Sequence, residues 1–101
     1  MLLDNIKTRG KDVSKTLTLA YLDDLFEKQN KKCAYTGEPL TFRTSTKLGN
    51  ASLDRIDSSK GYIEGNLQWV HKTINEMKTD LSHDIFVEYC KKVAKKENKN
   101  A

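Results

Sequence analysis

Asp54, Arg55, Tyr62, Asn66, His71, Asn75 and Lys78 fall within one unbroken run, LDRIDSSKGYIEGNLQWVHKTINEMK, residues 53–78. A carboxylate and an amide oxygen are hard ligands, suited to ions that keep several waters and take one or two carboxylates alongside substrate phosphates. Asp54 with Asn75 forms such a set, and the cofactor it implies is a divalent ion, Mg²⁺ with Mn²⁺ as the alternative. An ion held this way stabilises charge on a phosphate and its leaving oxygen, the hard part of phosphodiester hydrolysis. Arg55 is a poor base because its guanidinium stays protonated, but it can hold a phosphate or a developing negative charge. Tyr62 and His71 remain as proton acceptors.

Each of these residues also has a structural explanation. Asp54 and Arg55 can be strand-surface charges, Asn66 after Gly65 suits a turn, and Tyr62 can pack its ring over a hairpin. His71 can cap a helix, Lys78 can be an exposed helix charge, and His83 looks incidental. Trp69 reads as core.

The elements that must position the run follow from spacing. Thr18 caps a helix expected to reach about Gln29, with Leu19, Leu22, Leu25 and Phe26 on one face and Asp23, Asp24 and Glu27 in water. CAYTGEPL is a turn punctuated by Gly37 and Pro39, and TFRTSTKLGN a polar loop or ragged hairpin facing substrate. Residues 51–56 and NLQWV read as two strands, with DSSKG supplying turn residues between them. From about His71 the spacing becomes helical. Val70, Ile74 and Met77 form its expected buried stripe, with His71, Asn75 and Lys78 about 100° away on a shared polar face. A last helix begins at a Ser82 cap, with Ile85, Phe86, Tyr89, Cys90 and Val93 turned inward. The fold class is α+β, a hairpin feeding directly into a helix and flanked by amphipathic helices.

At 101 residues the chain is long enough for one small domain with a thin core. The expected division is a loosely ordered arm over 1–17, a single domain over 18–90 and a lysine-rich tail over 91–101. Net charge is +4. Lys91, Lys92, Lys95, Lys96 and Lys99 against Glu97 account for that whole excess, so charge alone does not argue for nucleic acid. No apolar run approaches a membrane span, and the start lacks the apolar centre of a secretory signal, so a cytoplasmic location without a membrane partner is expected. Cys33 and Cys90 do not form a close metal-binding pair and read as buried thiols.

The run DRIDSSKGYIEGN, with Asn75 and Lys78 following, resembles the core of the HNH endonucleases, the ββα-metal or His-Me finger nucleases, in the subset with Asp-Arg in place of Asp-His. YTGEPL followed by the 53–78 run is similar to small HNH proteins of phages, and the resemblance spans roughly residues 33–86. It implies a ββα-metal core, with Asp54 and Asn75 as metal ligands and Asn66 as the amide that ties the inter-strand loop to the catalytic strand. Arg55 then stands at the general-base position, and Tyr62 belongs to the Gly-Tyr pair that accompanies Asp-Arg. Catalytic roles therefore fall on Arg55, Tyr62, Asn66 and His71, and DNA contacts on Lys78, Arg43 and Lys72. Relatives often brace the site with Cys-x-x-Cys pairs, but Thr36 stands where the second cysteine would fall after Cys33, so no structural zinc is expected. The implied activity is metal-dependent cleavage of DNA, with a homodimer as an option. The alternatives are a DNA-binding module of the same fold without catalysis and a small basic protein whose motif is accidental.

Overall fold

The computed structural model describes residues 17–99. Its elements run α1 (Leu19–Lys28), β1 (Ala51–Arg55), β2 (Leu67–His71), α2 (Lys72–Lys78) and α3 (His83–Lys99). β1 and β2 form an antiparallel pair in which Ala51 faces His71, Leu53 faces Trp69 and Asp54 faces Gln68. The class is α+β, as the sequence implies. The expected arm over 1–17 lies outside the described residues except for Leu17, which is buried with the core rather than loosely ordered. The lysines of the expected tail lie on α3, which continues through Lys99.

Thr18 opens α1 from an extended conformation, its hydroxyl accepting the Tyr21 N–H at 3.1 Å. Leu22 and Phe26, one turn apart, bury against the hairpin, and Phe26 and Phe42 meet the Trp69 ring edge-on at 5.9 and 5.1 Å. Trp69 is fully enclosed, and its indole N–H donates to the Leu22 carbonyl at 2.9 Å.

Leu53 and Trp69 are directly opposite, and the Trp69 N–H and C=O both face outward, away from β1. Gln29 meets both: its Oε1 accepts the Trp69 N–H at 2.8 Å and its Nε2 donates to the Trp69 carbonyl at 2.9 Å. The Ala34 N–H shares the Trp69 carbonyl at 3.0 Å and the His71 N–H donates to Cys33 Sγ, so one amide and the 33–34 segment together stand in for a third strand. The 41–50 segment is an exposed loop without strands, pinned by Asn50 and Thr41. Gly49 sits so close beneath it that a Cβ would lie 2.5 Å from the Arg43 nitrogen.

Three expected stripes differ. In α1, Leu19 is exposed, and only Leu22 and Phe26 of the expected face are buried. In α2, Met77 is 58% exposed while Lys78 is 1% exposed. The helix turns its 74–75–78 side to the hairpin because Asp54 lies there and needs a counter-ion. Among the described side chains of α3 only Phe86 is buried. Ile85, Tyr89, Cys90 and Val93 are exposed, because no described element covers their side of the helix.

Replacing Gln29 with alanine strands the Trp69 N–H in a buried setting. We expect a loss of about 1–3 kcal/mol in unfolding free energy, read as a lower urea midpoint at unchanged slope.

Candidate active site

Side chains alternate across a strand, so Ser52 and Asp54 share one face of the hairpin with Val70 and Gln68, and α2 lies over that face. β2 runs into α2 without a loop, and this places Asn75 beside β1. Its Nδ2 donates to the Ser52 hydroxyl at 2.6 Å and, more weakly, to the Leu53 carbonyl at 3.4 Å. Asp54, Asn75, Ser52, Arg55, Ser58, Tyr62, Lys72, Glu76, Thr79 and Asp80 line one open cleft of about 430 Å³.

At its base is a buried ion pair. The Lys78 ammonium reaches both Asp54 carboxylate oxygens at 2.9 Å and also the Arg55 carbonyl, while Gln68 donates to Asp54 Oδ2 at 2.9 Å. Asp54 is 3% exposed. Lys78 is therefore not a surface phosphate contact, as expected from sequence, but the counter-ion of Asp54. A buried carboxylate is tolerable only when paired and hydrogen-bonded, and this one is both.

Arg55 lines the cleft, but its guanidinium is largely spoken for. Nη1 donates to the Ser58 and Lys60 carbonyls at 2.8 and 3.0 Å, Asp80 lies 3.6 Å away, and the cation stands 5.5 Å over the Tyr62 ring. Asn66 closes the same loop. Its Oδ1 accepts the Asp57 N–H, and its Nδ2 donates to the Asp57 and Gly61 carbonyls. It does not line the cleft. Gly65 just before it takes φ +85°, a left-handed conformation that a side chain would strain. Asp57 adds an Asx turn, with Ser59 donating from both its hydroxyl and its N–H. Those bonds hold the Asp57 carboxyl below its ordinary value.

The remaining candidates divide by position. Tyr62 is buried yet lines the cleft, and Lys72, the first residue of α2, is exposed at the cleft. His71 is not on the Asn75 face: it ends β2 opposite Ala51, and its Nδ1 accepts the Thr73 N–H at 3.0 Å as the cap of α2. Arg43 lies in the exposed loop and does not line the cleft. His83 is not incidental. Its Nδ1 meets the Tyr35 hydroxyl at 2.9 Å with the rings stacked, and its N–H donates to the Ile56 carbonyl, docking the start of α3. Gln68 is the main contributor that sequence reasoning missed. Its alternation with Asp54 carries the signal, but only once the register is known.

Asp54 and Asn75 suit a hard divalent ion in donor type. A carboxylate offers about four lone pairs, and three hydrogen bonds reach Asp54, one of them at Oδ1. Both hydrogen bonds of the Asn75 amide use Nδ2, which leaves its Oδ1 available to a cation. No group of three or more His, Cys, Asp or Glu side chains gathers among the described residues. No described helix is long and apolar enough to cross a membrane.

No family model and no solved structure matches the chain. It is 34% identical over 82 residues to an uncharacterised 29.0 kDa protein of Enterobacteria phage T4, encoded in the dda-modA intergenic region. The alignment covers 81% of this chain and 31% of that protein, so the chain spans about a third of its relative.

Removing one member of the buried pair leaves the other charge unpaired. Lys78→Met is expected to cost about 3–5 kcal/mol, and the Asp54→Asn/Lys78→Met double variant to recover a large part of that loss, both read by urea denaturation. Burial raises Tyr35 to about 12. A tyrosine raised above its unfolded value of about 10 stabilises the fold fully below that pH, and the contribution disappears as the pH climbs towards the folded value. Tyr35→Phe should abolish that part of the stability loss between pH 10 and 12, measured against the wild-type slope.

Proposed function

We propose that this protein is a DNA endonuclease of the HNH type, with β1, β2 and α2 as its ββα-metal core and the cleft over β1 as its site. One observation carries the reading. A strand carboxylate, Asp54, and a helix amide, Asn75, separated by a whole hairpin in sequence, line the same open cleft. The Asp-Arg, Gly-Tyr and Asn elements of the motif surround that cleft or organise the loop at its edge.

In this reading a hard divalent ion, Mg²⁺ or Mn²⁺, is held by Asp54 and Asn75 and supplies Lewis acidity towards a phosphate oxygen. Lys72 attracts the DNA backbone at the rim of the cleft, and Arg43 extends that contact from its loop. Arg55 and Asn66 act by position. They fix the loop that carries Ser58 and Tyr62, and only the outer edge of the Arg55 guanidinium remains for a phosphate. Tyr62 is the proton acceptor at the cleft, since His71 is committed to capping α2.

A second reading, a DNA-binding module of the same fold without catalysis, is favoured by the Asp54–Lys78 pair, which neutralises the proposed ligand. Plasmid cleavage separates the two. With Mg²⁺ or Mn²⁺ the purified protein should nick or linearise supercoiled DNA, and chelator should stop it. Asn75→Ala should slow cleavage by about tenfold or more while DNA retention in a gel shift stays near wild type. Binding without metal-dependent cleavage would establish the module instead. Asp54→Ala is the poorer probe, because it strands the Lys78 charge.

A further inference from the structure

The same face of α2 presents two groups to β1, Asn75 and, three residues later, Lys78. One is the amide a cation would use, and the other is itself a cation. Lys78 Nζ stands 2.9 Å from each Asp54 oxygen, with 1% of the residue exposed. Its third contact, the Arg55 carbonyl, fixes the ammonium from the strand side. An ammonium has three donors, and all three are used. The pair is charge-balanced as it stands, so an ion approaching Asp54 meets a carboxylate whose field is cancelled and a positive charge a few ångströms away.

We propose that Lys78 is the resident cation of the cleft, and that it competes with divalent ions for Asp54 and thereby sets the metal affinity of the free protein. The proposal rests on the divalent-ion reading of the site and adds what that reading lacks, a reason for the ion to be held weakly until a phosphodiester brings further negative charge. Lys78 makes no contact with substrate in this scheme. It acts through Asp54.

Mn²⁺ binding to the protein without DNA tests this, followed by loss of the free-ion signal in electron paramagnetic resonance. Lys78→Met keeps the length of the side chain and removes its charge. It should bind Mn²⁺ about tenfold or more tightly than wild type, because a like charge beside the ion is gone. Asp54→Asn/Lys78→Met should lose that gain, which assigns it to the carboxylate. A folded Lys78→Met protein that binds Mn²⁺ no more tightly than wild type overturns the proposal. If Lys78→Met is unfolded alone, Mn²⁺ should restore its helical far-ultraviolet circular dichroism by taking the vacated place at Asp54. Failure of the ion to do so also overturns it. Neither readout uses cleavage, so a protein that binds DNA without cutting it refutes the endonuclease reading and leaves this result standing.

Discussion

The pairing of Lys78 with Asp54 is the constraint around which the rest of this small protein is arranged. Two charges are removed from water at the place where β1, β2 and α2 meet, and that is tolerable only if geometry and hydrogen bonding are close to ideal. Each neighbouring element contributes to this. Gln68 on β2 donates to the carboxylate, the Arg55 carbonyl on β1 accepts from the ammonium, and α2 presents Lys78 one turn beyond the residue that fastens it to Ser52. The pair therefore fixes the rotation of α2 about its axis. It also explains why Met77, the apolar residue next door, is left outside.

The loop between the strands is organised by a second set of polar contacts that reaches the same point from the other side. Arg55 and Asn66, at its two ends, both bind its backbone, and Asp57 tightens it through Ser59. Beyond the loop, Thr79 turns the chain at φ 51°, an unfavourable conformation for a β-branched residue, and brings Asp80 to within 3.6 Å of Arg55. The Ser58 hydroxyl donates to the Asp80 carbonyl. The cleft is thus walled by backbone that is tied on both sides, so groups that approach it meet a preformed surface.

Much of this was legible in the sequence, and the parts that were not share a cause. The Thr18 cap and the Leu22–Phe26 spacing are local, and so are the strand alternation and the direct passage from β2 to α2. These gave the elements and the convergence of Asp54 with Asn75. The direction of Lys78 was not local. It depends on the register that sets Gln68 beside Asp54, and hydrophobic periodicity favoured Met77. The exposed side of α3 escaped for a related reason, since Ile85, Tyr89 and Val93 have the right spacing for burial but no described element lies over them. His71 reads as helical from sequence because the periodicity begins one residue before the helix does. Gln29 could not have been found by pattern at all, because its partner is a main-chain group forty residues away.

Gln29 has its counterpart on the opposite side of the hairpin, where the Asn75 amide leans towards the Leu53 carbonyl. Between them, two side-chain amides occupy outward-facing main-chain groups at the middle of both strands. A two-stranded ribbon is ordinarily an invitation to further strands, from a neighbouring molecule or a partly unfolded copy, because unpaired main-chain groups template their own extension. Here that growth is blocked at the buried middle of the ribbon, by side-chain amides and by the Ala34 N–H on the Trp69 carbonyl rather than by a further strand. The same amide that faces the cleft thus also guards the ribbon against aggregation.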